Sequence, residues 1–169
     1  METTRFLRRA LSDTGPYCAL ALQKGNIEQR FFNTIEELVN YSNEVDEDGK
    51  DAYFALGAFK SKASRSAVNV RDMRSLFIDI DCRPEKDQTK NYANKKEGLA
   101  ALRQFCSDTG LPRPFLVDSG GGIHAYWFLE ESVPVSDWLP VAKKLKALCD
   151  EGIITAAEFD KQKKQLLDG

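Results

Sequence analysis

Asp79 and Asp81 are one residue apart in the apolar run Leu76-Phe77-Ile78-Asp79-Ile80-Asp81. On an extended strand, positions i and i+2 share a face. Both carboxylates therefore point the same way as Phe77, while Leu76, Ile78 and Ile80 turn to the opposite, core-facing side. Two carboxylates held this close repel each other, and burying either without a partner is costly. A hard divalent cation such as Mg2+ or Mn2+ relieves both penalties, because it takes carboxylate oxygens as ligands. The plainer alternative is that Asp-x-Asp at a strand end simply meets solvent or caps the next helix.

A second stretch, Ser119-Gly120-Gly121-Gly122-Ile123-His124-Ala125-Tyr126-Trp127, carries the single histidine of the chain. Alternation along it places His124, Tyr126 and Phe128 on one face and Ile123, Ala125, Trp127 and Leu129 on the other. A run of three glycines is commonly a hairpin turn. It also leaves backbone N–H groups open to an anion, and a histidine at the mouth of the following strand would reach the same phosphates.

Taken together, Asp79-Ile80-Asp81 and the Ser119-Gly-x-Gly-x-His124-x-Tyr-Trp127 stretch about forty residues later resemble motifs I and II of the archaeo-eukaryotic primase superfamily. The likeness is strongest to phage and plasmid primase–polymerases. Tyr53-Phe54-Ala55-Leu56, the Thr109-Gly-Leu-Pro-x-Pro114 segment and Trp138 extend it, so that it covers roughly residues 15–149. The resemblance implies a template-directed nucleotidyltransferase. Asp79 and Asp81 would hold catalytic Mg2+ or Mn2+, and His124 would contact the phosphates of the incoming nucleotide. Ser119, Gly120, Gly121, Gly122 and Arg65 would help to bind it, with nucleoside triphosphates and single-stranded DNA as partners. A primase–polymerase also takes a third acid from a strand after motif II. Here the available acids, Asp150, Glu151, Glu158 and Asp160, read as helix-surface or cap residues. A catalytically inactive, primase-derived regulatory module is therefore the alternative, with Phe77, Tyr126 and Phe128 exposed as base-stacking platforms.

Composition bounds these ideas. The chain has 169 residues and 42% hydrophobic content, enough for one domain with a real core and a small appendage. Its 24 basic and 26 acidic residues give a net charge of -2, which excludes a uniformly basic nucleic-acid coat but not a local groove. The four cysteines are widely spaced with no CxxC pair, which argues against zinc and for buried, reduced thiols. The basic start is too short in apolar length for a signal peptide, and no apolar run suits a membrane span. A cytoplasmic protein with no membrane partner is expected.

The elements that must position the two stretches follow from pattern. Residues 1–13 suit a short basic helix. Residues 17–23 and 27–32 form a hairpin around Lys24-Gly25-Asn26. Thr34 and Glu37 have capping-box spacing for a helix that fades in the acidic segment 44–51. Residues 51–59 read as a third strand. Residues 60–74, with Lys60, Lys62, Arg65, Arg71 and Arg74, read as a solvated loop or the lining of a nucleotide or template path. An amphipathic helix is expected over 95–109, with Leu99, Leu102, Phe105 and Cys106 inward and Gly110 ending it. Residues 115–118 and 123–129 pair antiparallel. Ser136 opens a last helix with Trp138, Val141, Ala142, Leu145 and Leu148 as its stripe.

From about residue 144 the chain resembles the short C-terminal helical module SHOCT. Gly152 stops one helix, Thr155 caps the next with Glu158, and Ile153, Ile154, Phe159, Leu166 and Leu167 form an apolar seam. Two short helices cannot bury such a seam alone, so the tail is expected to dock on the body or to make a homo-oligomer. The expected fold is α+β, with a mainly antiparallel sheet, helices on one face and a partial RRM-like catalytic half. The expected domains are 1–135, primase–polymerase-like, and 136–169, a helical segment ending in a hairpin.

Overall fold

The structure is a computed structural model, and it describes residues 2–83 and 91–152. It is α+β, with four α-helices and seven strands among those residues. The chain divides into two compact units. One combines residues 1–75 with 128–140; the other combines 76–127 with the chain from Val141 onward.

The first unit begins with α1 (Glu2–Ala10) and the hairpin β1 (Tyr17–Gln23) and β2 (Asn26–Phe32). The two turn residues have positive φ, 47° at Lys24 and 86° at Gly25, which suits the right-handed twist of the strands they join. The capping box that starts α2 (Ile35–Glu47) is formed as predicted. Thr34 accepts from the Glu37 N–H while Glu37 reaches back to the Thr34 N–H. The helix continues through Glu47, into the segment expected to be a fading acidic loop, because Val45 is buried and anchors that turn. Leu7, Leu11, Tyr17, Ala19, Leu38 and Val45 lie in one apolar cluster that ties α1, β1 and α2 together.

The strand expected over 51–59 is two strands in two sheets. β3 (Asp51–Phe54) completes a sheet of order β2-β1-β3, and β4 (Gly57–Phe59) opens another, of order β4-β5-β7-β6. Nothing in Ala55-Leu56 announces a turn, so pattern alone ran the two together.

The larger correction concerns residues 60–74. Residues 67–69 form a 3-10 turn, and the strand β5 runs from Val70 to Asp81, absorbing Arg71 and Arg74. These charges are only partly solvated. The Arg71 guanidinium donates to the carbonyls of Thr14 and Gly15 and pairs with Asp72. Arg74 pairs with Asp13 and donates to the Glu130 carbonyl. Most of these partners lie more than fifty residues away, and no local pattern contains that information.

In the second unit, α3 spans Lys95–Thr109 with Asn94 as its N-cap and Gly110 left-handed at φ 71°, matching the expected bounds. Leu102, Phe105 and Cys106 are buried as expected, and Gly98 is also buried, where a side chain would strike Cys82 and Ile80. β6 (Phe115–Asp118) pairs antiparallel with β7 (Gly122–Pro134), joining Val117 to His124. α4 (Val135–Gly152) carries Leu145 and Cys149 inward, whereas Val141, expected on the apolar stripe, is 52% exposed. All four cysteines are buried free thiols. The second tail helix and the apolar seam expected beyond Gly152 lie outside the described residues.

Candidate active site

The site is built on two neighbouring strands of the second unit, β5 and β7. Their contacts run in opposite directions: Phe77 meets Tyr126, Asp79 meets His124, and the Cys82 N–H donates to the Gly121 carbonyl at 3.0 Å. The strands are therefore antiparallel here. The alternation read from the sequence holds on both. Leu76 and Ile80 are buried, as are Ile123, Ala125 and Trp127, while Asp79 and His124 face each other on the opposite side.

The Asp79 carboxylate lies 3.5 Å from His124 Nε2, and both side chains reach solvent. Phe77 packs edge-on to the imidazole with ring centres 5.1 Å apart, and fixes its orientation from one side. Tyr126 lies beneath, 5% exposed, its hydroxyl pKa pushed up to about 12 by burial and then by the Asp79 charge. The phenol is thus neutral across the physiological range. Asp81, two residues on, is half-exposed and lies 3.7 Å from the Arg83 guanidinium.

Each glycine of the turn has its own reason to be there. Gly120 adopts φ 81°, the left-handed region that favours glycine. Gly121 lies under the guanidinium of Arg83, whose Nε would be 2.5 Å from a Cβ. Gly122 lies against the Ile80 carbonyl, so a side chain there would overlap the backbone of β5. The Gly120 N–H donates to Asp118 Oδ1 at 2.8 Å, so it is already engaged. Asp118 also takes the ammonium of Lys95 at 2.6 Å, and these two donors, Lys95 first, hold its carboxyl below the usual range. Ser119 is exposed, and its N–H donates to the Gly122 carbonyl at 3.2 Å, closing the turn.

Asp79, Asp81, His124, Ser119, Gly120, Gly121 and Gly122 thus all belong to one unit and one strand-end region. Arg65 does not. It belongs to the first unit, on the irregular segment after β4, close enough to lower the pKa of Cys18 by its charge against the larger effect of burial. The idea of three exposed stacking rings is overturned. Tyr126 is buried, Phe77 packs on it and on His124, and Phe128 belongs to the first unit, against Phe6 and under Arg9. Trp127, part of the second motif, has a structural role. Its indole N–H donates to the Pro112 carbonyl at 2.7 Å and ties down the approach to β6.

Pattern reading missed Arg83 and the Lys95–Asp118 pair. Arg83 lies two residues after Asp81, past the end of β5. Two exposed carboxylates on one face offer oxygen donors of the kind a hard cation takes. Among the described residues, no group of three or more His, Cys, Asp or Glu side chains is arranged to hold a metal ion.

The fold is α+β, with an architecture shared with a primase-polymerase domain. The AEP domain (PP-N190) of the cyanophage S-2L primase-polymerase (PrimPol) is similar to it with a TM-score of 0.63 and 17% identity, over 88% of this chain and 72% of that one. Identity at that level speaks for the fold. Residues 143–167 match SHOCT, a short C-terminal domain, and so include the last turns of α4. No curated protein matches the chain. Among the described residues, no helix is long and apolar enough to cross a membrane.

Proposed function

We propose that this protein is a metal-dependent nucleotidyltransferase of the primase–polymerase kind, which primes or extends a strand on single-stranded DNA from nucleoside triphosphates. The observation that carries this is the convergence of Asp79 and His124 to 3.5 Å across neighbouring strands, beside Asp81 and a glycine turn, in a fold shared with a primase-polymerase domain. Asp79 and Asp81 would hold Mg2+ or Mn2+, which supplies charge neutralisation at the phosphates and a more acidic attacking hydroxyl. His124 Nε2 would donate to a phosphate oxygen, steadied by Phe77. The Ser119 hydroxyl and the N–H groups of the turn, other than those of Ser119 and Gly120, would donate to the same triphosphate. Phosphoryl chemistry of this kind is mostly positioning and charge stabilisation, so a small set of side chains suffices. The SHOCT segment would join copies of the chain.

One observation favours a second role, a nucleotide- or single-strand-binding module without catalysis. Asp81 is already faced by a guanidinium, and no third acid joins the pair among the described residues. The two roles part in one assay, in which the protein is incubated with a single-stranded template, nucleoside triphosphates and Mg2+ or Mn2+. Incorporation that falls by about a hundredfold or more in Asp79→Asn and in Asp81→Asn, with circular dichroism unchanged, supports the enzyme. Nucleotide or template binding with no incorporation supports the module. Neither binding nor incorporation defeats both.

A further inference from the structure

We propose that Asp118 and Lys95 are positioning residues of the nucleotide site: Asp118 holds the glycine turn in the shape that receives phosphates, and Lys95 cancels the charge that Asp118 brings beside them. The inference rests on the nucleotide-binding reading above and adds to it two residues that neither motif contains.

Three observations carry it. One oxygen, Asp118 Oδ1, accepts both the Gly120 N–H at 2.8 Å and the Lys95 ammonium at 2.6 Å. The first bond ties down the left-handed Gly120, at φ 81°, and the second comes from 23 residues away, on the first turn of α3. The carboxylate that holds the turn is thus itself held by a separate element. Next, three consecutive glycines have no side chains with which to set their own backbone, and glycine loses the most freedom on ordering. The Cys82 N–H, donating to the Gly121 carbonyl, holds one side of the turn, and Asp118 holds the other. A turn ordered before its ligand arrives spares that entropy cost at binding. Finally, Lys95 is the first residue of α3, where the helix dipole disfavours a cation. Asp118 accounts for its place there, and the helix does not.

The charge of Asp118 is what makes the lysine necessary. A bare carboxylate beside the turn repels a triphosphate. The ammonium at 2.6 Å neutralises it and leaves the bond to Gly120 in place. The pair is exposed, with 38% of the lysine side chain and 68% of the aspartate side chain open to solvent, so its loss costs the fold little. An effect on nucleotide binding then reports the turn.

The test uses the full chain with ATP or dATP in Mg2+, and reads the nucleotide Kd, KM and kcat for incorporation, and the urea midpoint. Asp118→Ala is expected to raise Kd and KM about tenfold, as loss of a charge-assisted hydrogen bond does, with kcat and the midpoint nearly unchanged. Lys95→Ala leaves the carboxylate uncancelled and is expected to weaken binding by a similar factor, with a smaller ratio to the parent at high salt. Adding Asp118→Asn to Lys95→Ala restores most of the affinity, because the amide oxygen still accepts the Gly120 N–H and carries no charge. A merely structural ion pair gives no such rescue. A Kd that stays high in the double variant overturns the proposal and means that Lys95 meets the phosphates itself. An unchanged Kd in either alanine variant, in a parent that binds nucleotide, also overturns it and leaves the nucleotidyltransferase reading intact. A parent that binds no nucleotide in Mg2+ overturns both.

Discussion

At the scale of single residues, the site is a set of small groups whose identities are fixed by what lies beside them. The glycine turn makes this testable, since its members are glycine for different reasons. At Gly122 an added methyl meets the Ile80 carbonyl, a backbone atom that cannot swing away. Gly122→Ala is therefore expected to destabilise the protein by about 1–3 kcal/mol, as forced overpacking does, visible as a lower midpoint in urea unfolding. At Gly121 the obstacle is a side chain that can move. Gly121→Ala should leave the urea midpoint nearly unchanged. Equal losses of stability in the two variants would show that the turn is a single steric unit. The carboxylates behave in another way. Asp79 and Asp81 are exposed enough that their amide variants keep the fold, so any loss of incorporation reports chemistry.

At the scale of elements, what matters is how helix ends and strands are tied off. The capping box of α2 satisfies two N–H groups through Thr34 and Glu37. Thr34→Ala should cost about 1 kcal/mol, measured by chemical denaturation. Hydrogen bonds from the Thr34 and then the Asn33 backbone hold the Glu37 carboxyl below its ordinary value of 4.5. The folded state thus binds this proton less readily than the unfolded chain. The stabilisation is complete above the unfolded value and is lost as the pH falls through the lower folded one. On acidification from neutral pH through that range the parent should lose this contribution, whereas Glu37→Gln should show a flatter profile over the acid limb. An identical acid limb in both would mean that Glu37 contributes nothing to it. The elements also explain why β5 is a strand over its charged half. Arg71 and Arg74 are absorbed by carbonyls and carboxylates contributed by residues 13–15 and 130, so the strand continues where local polarity suggests a loop.

At the scale of the whole molecule, the balance of charge bounds what the protein can hold, and the tail is the segment to test for self-association. A net charge of -2 gives no broad attraction for the phosphate backbone, so the proposed template binding would rest on local contacts, and duplex DNA should bind poorly at physiological salt. The SHOCT match begins inside α4, so the module is covalently continuous with the unit that carries the site. If its apolar seam joins copies of the chain, sedimentation of the full chain should give an assembly. A chain ending at Gly152 should sediment as a monomer with the secondary structure of the body retained. An assembly of unchanged size after truncation would assign self-association to another surface.

The sequence by itself determined whatever depends on near neighbours. Lys24-Gly25 required a hairpin, Thr34 and Glu37 required a helix start, and Gly110 closed α3, because each acts within a few bonds of its own backbone. Strand alternation likewise sorted Asp79 and His124 from the core-facing residues, since period two is a property of the extended chain. The tertiary structure alone decided which strands adjoin. That choice brought His124 to Asp79, set Arg83 over Gly121, buried Tyr126 and placed Arg65 in the other unit. It also split residues 51–59 between two sheets and turned a charged segment into half of β5. Those outcomes depend on hydrogen-bond partners and packing surfaces supplied by distant parts of the chain, and no local window contains them.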